Sequence, residues 1–218
     1  MNEAERNQLI SLIKREVIPA IGCTEPIAVA LCIAKATEIL NYIPEKITVI
    51  LSANILKNAM GVGIPGTDMI GLPIAIALGA LIGKSDYQLE VLKDCTPQSV
   101  EKAKDYINEK RISISIKEGI CDKLYIESIC EYKENKSTAI IAGGHTSFIY
   151  LARNSEVLLD NNQKSIDEKE ETIPDLNLRK IYDFALTAPL NEISFILETA
   201  RINKCAAERS FEGNYGHG

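Results

Sequence analysis

The chain has 218 residues and a formal charge of −6. That length allows one large domain or two small ones, and an apolar fraction of 46% is enough for a sizeable core. The acidic balance, with no basic stripe interleaved with aromatics, argues against nucleic acid as a partner, and the lack of Trp weakens a peptide- or carbohydrate-binding reading.

Asn2 followed by Glu5 predicts a capping box, and Leu9, Ile13 and Val17 give a helical face ending near Pro19. Glu3, Glu5, Arg6, Lys14 and Arg15 precede any long apolar run, so no signal peptide is expected. Thr24 is placed as the N-cap of a helix from Glu25 to about Leu40, apolar nearly all round and therefore buried. Lys46 to Ser52 reads as a buried strand, and Asn54, Leu56 and Asn58 as a short irregular or helical piece. Gly61, Gly63, Pro65 and Gly66 form a loop, after which Thr67 and Asp68 are predicted to open a helix to about Gly83. The apolar run Met69–Ile82 contains Pro73 and falls short of the ~20 residues of a membrane span. The expectation is a cytoplasmic protein with no membrane partner.

A helix from about Pro97 to Asn108 follows. From Arg111 the period changes to two, with Ile112, Ile114 and Ile116 alternating with Ser113, Ser115 and Lys117 as a half-buried strand. Leu124–Tyr132 and Ser137–Ile141 are expected to be its antiparallel partners, with a further hairpin over Phe148–Leu151 and Glu156–Leu159. Asn161 to Asp175 is polar and charged, an exposed loop or linker. Helices resume over Leu176–Leu186 and Asn191–Arg209, and the Gly-rich run Gly213–Gly218 suggests a cut chain or a further domain. The fold class is α+β, with buried helices packed on a mainly antiparallel sheet over 1–160, a linker over 161–175, and helices over 176–218 that lead into a missing C-terminal helical catalytic domain.

Three segments could carry chemistry. Cys23, in Gly22-Cys23-Thr24-Glu25-Pro26, stands just outside a helix N-terminus, where the dipole lowers a thiol pKa while Glu25 opposes it. The alternative is a structural cysteine behind a tight turn. Asn54-x-x-x-Asn58 runs into Gly61-Val62-Gly63-Ile64-Pro65-Gly66-Thr67, which lacks the lysine of a phosphate loop. It is either a carboxylate-binding loop or an ordinary Gly-Pro turn. Gly143-Gly144-His145-Thr146 combines paired glycines with a lone His, a ligand-approach site or a hairpin turn. Six cysteines without a C-x-x-C pair give no zinc spacing, leave a thiol redox protein without a resolving partner, and are expected to be reduced.

Taken together, these segments, with Gly71-Leu72-Pro73-Ile74-Ala75 and Leu89-Glu90-Val91-Leu92-Lys93-Asp94, resemble the L-cysteine desulfidase family, related to the alpha chain of iron–sulfur-dependent L-serine dehydratases. The resemblance runs over essentially the whole chain and implies the N-terminal part of a lyase. Its reaction is α,β-elimination of L-cysteine to pyruvate, ammonia and sulfide, or of L-serine to pyruvate and ammonia. It further implies a [4Fe–4S] cluster in the full-length protein, with ligands that lie beyond this chain, and no PLP. Cys23 maps onto the catalytic base. Thr24, Glu25, Asn54, Asn58, Gly66, Thr67, Gly143, Gly144, His145 and Thr146 map onto the neighbourhood of a small L-amino acid substrate. No metal ligand is expected in this chain, and the fragment alone should be inactive. An apolar edge around Ile193, Phe195, Ile196, Leu197 and Ile202 should face the missing domain or drive homo-oligomerisation. The alternative function is a small-molecule-binding or regulatory domain without catalysis.

Overall fold

The computed structural model describes residues 1–119, 122–161 and 176–213. Backbone contacts divide the chain into two units, Ala20–Ser165 and a smaller one joining Met1–Pro19 to Ile166–Gly218.

The larger unit is mixed α and β. Helix α2 (Thr24–Leu40) carries an unbroken apolar run from Ile27 to Ala34, all of it buried. Such a helix has no solvent face and must be covered on every side. Helix α4 (Leu72–Ile82) is equally apolar and packs against α2. Small residues allow a close approach: a Cβ on Gly79 would stand 2.6 Å from the Ala30 carbonyl oxygen and 3.1 Å from the Ala30 Cα.

Both helices pack with a six-stranded sheet. Its strands are β1 (Lys46–Leu51), β4 (Ile112–Ile116), β5 (Tyr125–Tyr132), β6 (Asn135–Ala142), β7 (Phe148–Arg153) and β8 (Glu156–Asp160), in the order β4-β1-β5-β6-β7-β8. Only β1 and β4 are parallel, with Ile47 opposite Ile112. Ile47, Val49 and Leu51 of β1, Ile126 and Cys130 of β5, and Ala139 and Ile141 of β6 are buried in the core that the helices share. Period-two alternation therefore sets which side of β5 and β6 meets α2.

Three expectations need correction. The strand from Ile112 does not pair with Tyr125–Tyr132. β1 lies between them, because β1 is the strand buried on both edges. Thr67 and Asp68 do not open a helix. They lie in a two-stranded hairpin of β2 (Gly63–Ile64) and β3 (Met69–Ile70), with positive φ at Gly66 and Asp68, and α4 starts only after Gly71. Thr24 is not the N-cap of α2. Cys23 takes that position in extended backbone with no side-chain cap. Short helix α3 (Ala53–Ala59) is capped by Ser52, and α5 (Pro97–Asn108) by a Thr96/Ser99 capping box.

The smaller unit contains α1 (Glu3–Glu16), α6 (Leu178–Thr187), α7 (Leu190–Ile193) and α8 (Ile196–Glu212). The Asn2/Glu5 capping box forms as read. Helix α1, read from the sequence as part of 1–160, belongs here. Leu9 and Ile10 pack with Phe184 and Ala188, and Arg6 pairs with Glu192 at 2.7 Å. The linker over 161–175 begins at the last described residue, Asn161, and otherwise lies outside the described residues, as does 214–218 of the Gly-rich run. Among the described residues, no helix is long and apolar enough to cross a membrane.

Candidate functional site

Glu25 sits in the first turn of α2, where unpaired N–H groups and the positive end of the helix dipole favour a carboxylate. Three side chains donate to it. Cys23 Sγ lies 3.0 Å from Oε2, Thr24 Oγ1 3.3 Å from Oε2, and Asn58 Nδ2 3.3 Å from Oε1. Asn58 comes from α3, so the cluster joins two elements distant in sequence. His145, in the β6–β7 turn, is close enough for its charge to act on the same carboxylate.

The electrostatics follow from that geometry. The Cys23 hydrogen bond holds Glu25 below the ordinary carboxylate range against partial desolvation, helped by Asn58 and by the charge of His145. Partial burial pushes the Cys23 thiol up, and the hydrogen bond to Glu25 pushes it further. Of the two opposing effects expected at Cys23, the carboxylate and burial prevail over the helix N-terminus. The proton rests on sulfur, which makes Cys23 the donor to Glu25.

The loop before α4 lies against this cluster. A Cβ on Gly22 would meet Pro65 Cγ at 2.9 Å, so the residue before Cys23 must be small for the Pro65–Gly66 turn to approach. Thr67 does not present its hydroxyl to a ligand. It is buried, donates to the Ile64 carbonyl at 2.6 Å and accepts from the Met69 N–H at 3.1 Å, which closes the hairpin. Gly66 has φ +76, and Cys95 Sγ stands 4.0 Å from its carbonyl oxygen. Asn54 is exposed one helical turn before Asn58 on α3. Gly143 has φ +75 and donates to the Leu124 carbonyl; Gly144 accepts from Ser147, so Gly143, Gly144, His145 and Thr146 form a compact turn.

The structure thus joins Cys23, Thr24, Glu25 and Asn58 directly, brings His145 within electrostatic reach, and leaves Thr67 as a structural residue. Sequence reasoning missed the central position of Glu25 and the approach of Cys95, because both depend on contacts between distant segments. It also missed a second polar group on the sheet, where Lys117 and Tyr125 meet Glu127 Oε2 at 2.9 and 2.7 Å. Cys32 and Cys130 are buried, Cys205 is exposed on α8, and Cys121 lies outside the described residues. Among the described residues, no group of three His, Cys, Asp or Glu side chains could hold a metal ion.

No family model matches the chain, and no solved structure matches it. Among curated proteins it is 69% identical over 217 residues to a UPF0597 protein of Bacteroides thetaiotaomicron, covering 100% of this chain and 51% of that protein. It is 47% identical over 224 residues to a UPF0597 protein of Porphyromonas gingivalis, covering 100% of this chain and 52% of the relative. A UPF0597 protein of Aeromonas hydrophila is 41% identical over 217 residues, with 98% and 49% covered. The chain spans about half the length of the curated relatives it matches.

Proposed function

We propose that this chain supplies the proton-handling part of an amino-acid lyase site, acting by α,β-elimination on L-cysteine or L-serine as the resemblance to L-cysteine desulfidases implies. The observation that carries the reading is the convergence of hydrogen bonds from Cys23, Thr24 and Asn58 on the single carboxylate of Glu25, with His145 within electrostatic reach. In the reaction the Cα proton passes to a base and its electron pair forms the Cα=Cβ bond. The Cβ–S or Cβ–O pair then departs with the leaving group. The aminoacrylate left behind hydrolyses to pyruvate and ammonia. A weakly acidic Cα–H needs a positioned base of matching strength, and a thiolate from a raised-pKa cysteine is such a base. The ammonium of an arriving amino acid pairs with Glu25, displaces the Cys23 hydrogen bond and offsets the charge that disfavours the thiolate, so the Cys23 proton passes to solvent before the sulfur takes the Cα proton. Asn58 holds the carboxylate in place for that exchange, with the charge of His145 within reach of it.

The [4Fe–4S] cluster implied by the resemblance finds no ligand set among the described residues. The resemblance places the ligands of such a cluster outside this chain. The assay is anaerobic pyruvate release from L-cysteine and L-serine by the protein expressed from its full reading frame. Cys23→Ser should lower turnover by about a hundredfold or more. With the 218-residue chain alone, L-serine should slow alkylation of Cys23 while D-serine leaves it unchanged. Stereospecific protection without any pyruvate from the full-length protein would favour an amino-acid-binding regulatory domain. Unchanged turnover in Cys23→Ser would remove the cysteine from the chemistry.

A further inference from the structure

Helix α6 has two unlike sides. Phe184 and Ala188, just past its end, face the small core made with Leu9 and Ile10 of α1. Leu178, Ile181, Tyr182 and Leu186, spaced i, i+3, i+4 and i+8, form one stripe. All four are exposed, Leu178 at 86% and Leu186 at 67%. A lone surface leucine is ordinary, but a full apolar stripe on a regular helix is a contact surface. Helix α8 continues the pattern: it runs from Ile196 to Glu212 without one buried residue, and Leu197 is 72% exposed. The core of this unit is too small to account for two helices that expose so much apolar surface.

We infer that the α6 stripe is the docking face for the half of the relatives' length that this chain does not match. The relatives carry both halves in one polypeptide, of which this chain matches 51% in the Bacteroides thetaiotaomicron protein, and that selects this occupant over a second copy of the chain. Between tethered halves the effective concentration reaches the millimolar range, so a small apolar face is enough. The inference does not depend on the lyase chemistry and is tested without an activity readout.

The experiment is hydrogen exchange on this chain and on the full-length Bacteroides thetaiotaomicron relative, each with its sedimentation profile. The α6 amides should exchange at least about a hundredfold more slowly in the relative, at concentrations where it is monomeric. Equal exchange in the two proteins would overturn the proposal. Protection that appears in either protein only with a dimer, and is lost on dilution, would assign the face to a second copy and overturn it as well.

Discussion

At Cys23 two local fields compete. The N-terminus of α2 favours a thiolate, while partial burial and the Glu25 carboxylate favour the thiol. The carboxylate is 3.0 Å from sulfur, and contact at that distance outweighs a dipole spread over the first turn. Replacing Glu25 with Gln removes the charge and keeps the shape. The midpoint of Cys23 alkylation against pH should then move to lower pH, read by iodoacetamide kinetics with mass-spectrometric site assignment. An unmoved midpoint would show that burial alone raises the thiol. Cys32 and Cys130 carry the same effect of burial much further. Burial pushes both up to about 12 from an ordinary value of 9.0. An acid whose folded pKa is raised contributes its full stability below the unfolded pKa and loses it as pH rises towards the folded one. The urea midpoint should therefore fall as pH climbs from about 9 towards 12. Cys32→Ala, judged by the same titration, should make that fall shallower even if it lowers the starting stability. A parallel slope in the variant would place the alkaline sensitivity elsewhere.

The α2–α4 contact is decided at Gly79. In an isolated helix Gly→Ala gains about 1 kcal/mol of propensity. Here the added methyl would meet the Ala30 backbone at 2.6 Å, and backbone inside a buried helix cannot step aside as a side-chain end can. Overpacking of that kind costs roughly 1–3 kcal/mol, so Gly79→Ala should destabilise on balance, as a lower urea midpoint with unchanged slope. A stabilised variant would mean that the helices are free to separate. Elements of this sort were legible in the sequence because their signals are local. The all-apolar run from Ile27 to Ala34 marks burial, the Ile-Ser alternation marks β4, and Asn2 with Glu5 marks the start of α1. Sheet order was not legible, since β1 and β4 are parallel and joined by a long crossover whose partner choice is set by tertiary packing. The Thr67 region misled for a physical reason: Thr-Asp before an apolar run suits a helix cap, yet positive φ at Gly66 and Asp68 turns the chain into a hairpin first. At the site, Cys23 and His145 could be singled out by residue type. The hub at Glu25 could not, because its partner Asn58 arrives from another helix.

On the scale of the molecule, the two units are unequally supplied with core. The larger buries long stretches of α2 and α4 against the sheet, with many side chains at zero exposure, each worth about 1.5–3 kcal/mol relative to an exposed position. The smaller rests on Leu9, Ile10, Phe184 and Ala188, with Ile13, Ile193 and Phe195 around them, and on the partly exposed Arg6–Glu192 ion pair, which salt screens. Unfolding of the 218-residue chain should therefore depart from two-state behaviour. The smaller unit is helical among its described residues, so its loss removes far-UV helical signal first. Tyr42, Tyr106, Tyr125 and Tyr132 belong to the larger unit, so the near-UV tyrosine signal should persist to higher urea. Added salt should move the first transition to lower urea, because the partly exposed Arg6–Glu192 pair joins α1 to α7. Brief proteolysis below the first midpoint should cut within 176–213 before it cuts within α2 or α4. Coincident far- and near-UV transitions, with the same salt response, would show instead that the chain unfolds as one cooperative body.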